Sequence, residues 1–196
     1  MDPALVPPLM AYAFAMSITP GPNNLMLMAS GANFGLRRTV PHMLGVALGF
    51  AVLAIVIGVG LGAVFERLPA LYSGLKVLAV AYMLWLAWKI AHAAAPQGPD
   101  GTGTPLTFLQ AVAFQWVNPK AVAMAVTAVT VYAPGGTIPA IVAVALIFTA
   151  VNLPSVGSWA WLGVQMRAWL STPGRLRAFN WTMAALLLVS LVPVLR

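Results

Sequence analysis

Residues 16–38 read MSITPGPNNLMLMASGANFGLRR, and this stretch decides how the chain can fold. Pro20 and Pro22 lack an amide hydrogen and obstruct the preceding turn, while Gly21 lets the backbone change direction. Apolar residues lie on both sides of the TPGPNN segment. The stretch therefore predicts an apolar helix that is broken in its middle.

The composition of the whole chain places this broken helix in a lipid bilayer. Hydrophobic residues make up 61% of the 196 positions and charged residues 7%, and the mean hydropathy is +0.92. A soluble domain carries about 25% charged residues, and so few charges cannot cover the surface of one. We therefore predict an all-α integral membrane protein, with residues 1–196 in a single membrane domain.

The scarce residue types exclude several classes of function. The chain has no cysteine, two histidines and three acidic residues, so we expect no thiol chemistry, no metal site and no cofactor. The polar clusters that a membrane enzyme needs are missing, so we expect no enzymatic activity. The net charge of +7 comes from basic residues at the ends of apolar runs, which indicates membrane topology and not nucleic-acid binding.

Apolar runs predict six membrane spans. They cover about residues 5–30, 40–64, 68–91, 106–132, 138–162 and 179–194. The fourth run is interrupted by Asn118, Pro119 and Lys120, at a place that corresponds to TPGPNN in the first. A Gly- and Pro-rich stretch near 95–105 separates two halves, about 1–95 and 105–196, of three spans each. An odd number of spans reverses the orientation, so we predict an inverted repeat with broken helices 1 and 4, as in many secondary transporters.

The distribution of Lys and Arg predicts the orientation. Six basic residues fall in loops one, three and five, whereas the opposite side has Arg67 and Arg196. Cytoplasmic loops collect basic residues, so we expect these three loops inside and both termini outside. The N-terminus carries no Lys or Arg before the first apolar run, so we expect a retained helix and no cleaved signal.

The two breaks are candidate binding sites for a small zwitterion. Amide hydrogens at the helix start after Pro22 attract a carboxylate, and free carbonyls upstream suit an ammonium group. Asn23 and Asn24 are costly in hydrocarbon unless they are paired, and Lys120 adds a cation at the second break. The structural alternatives are a simple kink at the first break and a Lys120 side chain that extends to the membrane surface.

Further polar and small residues have two interpretations each. Tyr82 either contacts substrate or packs, and Asn152, two residues before Pro154, either contacts substrate or joins helices. Gly45 and Gly49 permit close packing, within the bundle or in a homodimer. We place His42 and His92 in loops at span ends, and Trp159 in an aromatic belt. The candidate substrate-binding residues are Pro20, Gly21, Pro22, Asn23, Asn24, Tyr82, Asn118, Pro119, Lys120 and Asn152.

Several segments carry a resemblance to a known family. They are PGPN with the glycine and arginines after it, HMLGVALG at 42–49, LKVLAVAYMLWLAWKI at 75–90 and FLQAVAFQWVNPKA at 108–121. In these, and less distinctively in the last helix, the chain resembles the LysE/RhtB family of amino-acid exporters. The resemblance implies a bacterial inner-membrane exporter of amino acids or close derivatives, driven by the proton gradient through alternating access.

Ala79 and the sequence after Lys120 depart from the family pattern, which leaves the substrate open. The alternatives are a channel or lipid-handling protein with the same broken helices, and a structural or assembly subunit that transports nothing.

Overall fold

A computed structural model describes residues 1–61, 69–93, 104–190 and 192, and the regular structure of these residues is entirely helical. The eight α-helices in the described ranges are α1 (Val6–Ile18), α2 (Pro22–Phe34), α3 (Leu36–Val56), α4 (Pro69–Ala91), α5 (Phe108–Val117), α6 (Pro119–Tyr132), α7 (Ile138–Met166) and α8 (Pro173–Val189). The described residues also form short 3-10 turns at Pro3–Leu5 and Trp169–Ser171 and a π turn at Ile57–Leu61.

The first and fourth apolar runs are both broken, as the sequence predicts. Helices α1 and α2 meet at an angle of 55°. Pro22 is the first residue of α2 and Pro119 the first residue of α6. Proline is tolerated at this position because the first amide of a helix has no partner within the helix. Pro22 therefore starts α2 after a gap of three residues from the end of α1, and Pro119 starts α6 after a gap of one residue from the end of α5.

Two described helices are long and apolar enough to cross a membrane, namely Leu36–Gly60 and Ile138–Met166. The bent pair of α1 and α2 makes a third if it counts as one span. The six spans and the inverted repeat remain predictions, and residues 94–103 of the connecting stretch lie outside the described residues. The second run starts at Leu36 and not near 40, because Gly35, with φ of 78°, sets the helix boundary.

Helix α7 lies at the centre of the described bundle and packs against α1, α2 and α3. A side chain at Gly31 would collide with the carbonyl of Ala160, and one at Gly163 with the carbonyl of Met28. Glycine at these two positions lets the α2 and α7 backbones touch. Gly45 and Gly49 face α5 in the same way, so they serve packing within the bundle.

The outer surface of the bundle is apolar. Leu109 is 73% exposed, Val77 71% and Ile138 65%. Large apolar side chains in such numbers are a liability in water but are at home against lipid tails. The surface and the long apolar helices together describe a membrane protein.

Candidate functional site

The two helix breaks lie side by side and are connected by side chains that cross from one to the other. The Lys120 ammonium donates hydrogen bonds to Thr19, at 2.8 Å to Oγ1 and 3.0 Å to the carbonyl, and to the Pro20 carbonyl at 3.4 Å. In the other direction, the Asn23 amide exchanges two hydrogen bonds with Gln115, of 2.8 and 3.2 Å. Lys120 and Asn23 each follow the proline that starts their helix, so the two crossings correspond to each other.

The carbonyl groups at the end of α1 all accept hydrogen bonds from side chains. Asn24 Nδ2 donates to the Ser17 and Thr19 carbonyls, at 2.7 and 2.8 Å. The Trp159 indole N–H donates to the Ile18 carbonyl at 3.0 Å. The sequence predicts these carbonyls to be free for a substrate ammonium, and in this structure protein side chains hold them. One of these donors is the Lys120 side chain, which ends in an ammonium group.

No side chain in the described ranges caps the start of α2. Gly21 is its N-cap and has no side chain to accept from the first amides of the helix. These amides carry the partial positive charge of the helix end, which favours an anion. A Cβ atom at Gly21 would lie 2.9 Å from Lys120 Cδ and 3.2 Å from Nζ. Glycine here therefore leaves room for the Lys120 side chain beside the uncapped amides.

A small cavity, which we call the break cavity, lies between the two breaks and has a volume of about 20 Å³. That space holds about one water molecule. Asn152 lines it, donates to the Ser17 hydroxyl at 3.0 Å, and has a buried Oδ1 atom with no hydrogen-bond partner. The predicted residues that line the cavity are Gly21, Pro22, Asn23, Asn24, Asn118, Lys120 and Asn152.

Comparison with known proteins identifies the family. The family model described as LysE type translocator matches residues 14–192. The chain belongs to the LysE type translocator family. It is 28% identical to a cysteine/O-acetylserine efflux protein of Klebsiella pneumoniae over 99% of this chain and 98% of the relative. Two Escherichia coli proteins with that name are 34% and 33% identical, each over 67% of both chains. No solved structure matches the chain.

Three predicted residues of this translocator lie outside the break cavity. Pro20 contributes its carbonyl to Lys120, and Pro119 starts α6. Tyr82 is not among the residues that line the break cavity, and its ring centroid is 5.3 Å from that of Trp85 and 5.6 Å from that of Phe114. The structure thus brings the two breaks and Asn152 together and leaves Tyr82 in a packing cluster.

Sequence reasoning missed two groups in the translocator. Gln115, fully buried, pairs with Asn23, and its signal was an amide inside the apolar run FLQAVAFQWV. Trp159 reaches the end of α1 with its indole N–H. The placement of His42 in a loop is wrong, because His42 is buried within α3. The apolar run predicts a second span that starts near residue 40, which puts His42 at the end of the span. The helix starts at Leu36, so His42 lies inside it.

Proposed function

We propose that this translocator exports a small amino acid or related zwitterion across the bacterial inner membrane, by alternating access coupled to protons. The relatives are named for cysteine and O-acetylserine, and we extend that substrate class to this chain. In this proposal loops one, three and five face the cytoplasm and both termini face outward, as the basic residues predict.

The observation that carries the proposal is the distribution of charge around the break cavity. The uncapped amides of α2 and the Lys120 ammonium favour a carboxylate. The end carbonyls of α1 and the unpartnered Asn152 Oδ1 favour an ammonium group. A zwitterion carries both groups on neighbouring atoms, so it complements both sides of the cavity.

The contacts of Lys120 suggest how a substrate enters. The break cavity holds about one water, so the two broken helices must separate before an amino acid fits. The substrate ammonium then replaces the Lys120 ammonium at the Thr19 carbonyl, and the released Lys120 pairs with the substrate carboxylate. Among the described residues that line the cavity, Lys120 alone is titratable, so it is our candidate for the link to protons.

The inverted repeat is part of the same proposal. Its support is that Lys120 and Asn23 hold equivalent positions in α6 and α2 and each reaches the opposite break. Rocking of one half against the other would exchange these crossing contacts. A homodimer remains a prediction, and Gly45 and Gly49 do not supply its interface because they pack against α5.

Counterflow in proteoliposomes tests the proposal. Proteoliposomes that contain the purified protein are loaded with one unlabelled amino acid at a time, from a panel that includes cysteine and O-acetyl-L-serine. Uptake of the same amino acid in labelled form is then followed. We expect saturable exchange that Lys120→Met abolishes and Arg37→Met, which removes an exposed charge, retains. Gel filtration confirms that both variants are folded.

The other outcomes separate the alternatives. Flux without saturation or counterflow would favour the channel, and no flux by folded protein would favour lipid handling. Exchange that survives Lys120→Met would keep the exporter and remove Lys120 from its site.

A further inference from the structure

A second, larger cavity of about 300 Å³ lies between α2, α3 and α4, and we call it the α2–α4 cavity. One face of α2 lines it with Met26, Ala29, Ser30 and Asn33, spaced as successive turns of a helix. Ligand pockets for small molecules have volumes from about 300 Å³ upward. The α2–α4 cavity therefore has room for an amino acid, which the break cavity does not.

The cavity follows α2 from near the break toward loop one. Met26 lies one turn after Asn23, which lines the break cavity, and Asn33 lies at the far end of α2. The two cavities therefore lie one after the other along α2. If loop one is cytoplasmic, the α2–α4 cavity is on the side from which an exported substrate arrives.

His42 forms part of the cavity wall and has unused hydrogen-bonding capacity. The residue is 1% exposed, and neither ring nitrogen has a hydrogen-bond partner. Two other polar residues of the wall are paired, Ser30 with Thr39 at 2.8 Å and Asn33 with Asn180 at 3.0 Å. A buried polar group without a partner costs stability. His42 is one of the residues that line the cavity, so a ligand that binds there and reaches the buried imidazole would supply the missing partner.

The charge of the cavity selects for an anion. Lys89 and His92 also line it, and no described Asp or Glu does. Lys89 lies 5.4 Å from the Trp85 ring centroid, and His92 Nδ1 is 2.8 Å from the Trp88 carbonyl. Lys89 therefore has an aromatic neighbour and no carboxylate partner among the described residues. The apolar part of the wall, with Met26 and Leu86, suits the rest of a small ligand.

We propose that the α2–α4 cavity is a second binding site for a carboxylate-bearing amino acid, with His42 and Lys89 as its ligands for the carboxylate. The site rests on the proposed function, because it is the place where the exported substrate is held before it reaches the break cavity. Binding there can nevertheless be measured without transport.

The absence of native cysteine allows a direct test. Ala93→Cys places a single thiol on the cavity wall, and Arg37→Cys places one on an exposed position outside it. Each variant is treated with a water-soluble methanethiosulfonate reagent, with and without saturating O-acetyl-L-serine, which has no thiol of its own. We expect the ligand to slow modification at position 93 by about fivefold or more, since bound ligand occludes the thiol. Modification at position 37 should keep its rate.

Variants of the two ligands then assign the protection. His42→Leu and Lys89→Met in the Ala93→Cys background should lose it, and His42→Gln, which keeps a donor and an acceptor, should retain part. If His42→Leu does not fold, the protection measured in His42→Gln and Lys89→Met decides whether the two residues bind the ligand. Equal modification rates with and without ligand, or protection that survives Lys89→Met and both His42 variants, would overturn the site.

Wild-type counterflow separates this proposal from the proposed function. Exchange without protection at position 93 would keep the exporter and reject the second site. Protection without any exchange would keep the second site and reject the exporter.

Discussion

Asn152→Ala should leave stability nearly unchanged and weaken transport. The Asn152 side chain makes one hydrogen bond, from Nδ2 to the Ser17 hydroxyl at 3.0 Å, and its Oδ1 is buried without a partner. Losing that hydrogen bond costs about 0.5–1.5 kcal/mol, and removing an unsatisfied buried oxygen returns about 1–3 kcal/mol. After the small void left by the side chain is included, we expect a free energy of unfolding within about 1 kcal/mol of wild type.

The effect on transport should be larger. In the proposed site Oδ1 accepts a hydrogen bond from the substrate ammonium, and a hydrogen bond to a charged group contributes about 1.5–3 kcal/mol. Loss of that contribution raises the substrate concentration for half-maximal counterflow by about 10- to 160-fold. Stability is followed by SDS titration of the purified protein, and transport by the concentration dependence of counterflow.

Asn180→Ala is the matched control for stability alone, because it truncates a buried asparagine whose side-chain atoms have partners. Asn180 accepts from Asn33 at 3.0 Å and donates to the Ala93 carbonyl at 2.9 Å. Its removal takes one hydrogen bond from the Asn33 amide, which keeps the Ala29 carbonyl, and leaves the partly buried Ala93 carbonyl without its donor, so we expect a loss of about 1–3 kcal/mol of stability. A strongly destabilised Asn152→Ala variant, or one with unchanged half-maximal concentration, would refute the reasoning about the unpaired oxygen.

Three further predictions concern the packing and the breaks. Gly163→Leu should sharply reduce the yield of folded protein, because its side chain would enter the α2 backbone, whereas Gly174→Leu, with open space around it, should express normally. Trp159→Phe removes the indole donor to the end of α1 and should lower stability by about 1 kcal/mol in the SDS titration. A double-mutant cycle with Asn23→Ala and Gln115→Ala should give a coupling energy of about 1–3 kcal/mol, from two hydrogen bonds between the breaks. Additive effects of the two changes would contradict the pairing.

The two helix breaks are predictable from the sequence because they depend on local chemistry. Pro22 and Pro119 start their helices because proline cannot continue a helix but fits its first position. Composition likewise placed the chain in a membrane, because its few charges cannot cover a soluble surface. Seven residues that line the break cavity are among those that the sequence singles out, on the grounds of helix-breaking proline and glycine, of amides that are costly in hydrocarbon, and of one cation within an apolar run.

Tertiary structure decided which polar groups meet. Lys120 contacts Thr19, 101 residues earlier, and Asn23 contacts Gln115, 92 residues later. A local pattern shows that a buried polar side chain needs a partner but does not name it, since helix packing sets the partner. The orientation of α7 made Trp159 a donor to α1, and the helix boundary at Gly35 put His42 in the bundle. Composition and the placement of proline are therefore enough to predict a membrane protein with two broken helices. The contacts between the two breaks are not predictable in this way, because they depend on how distant helices pack.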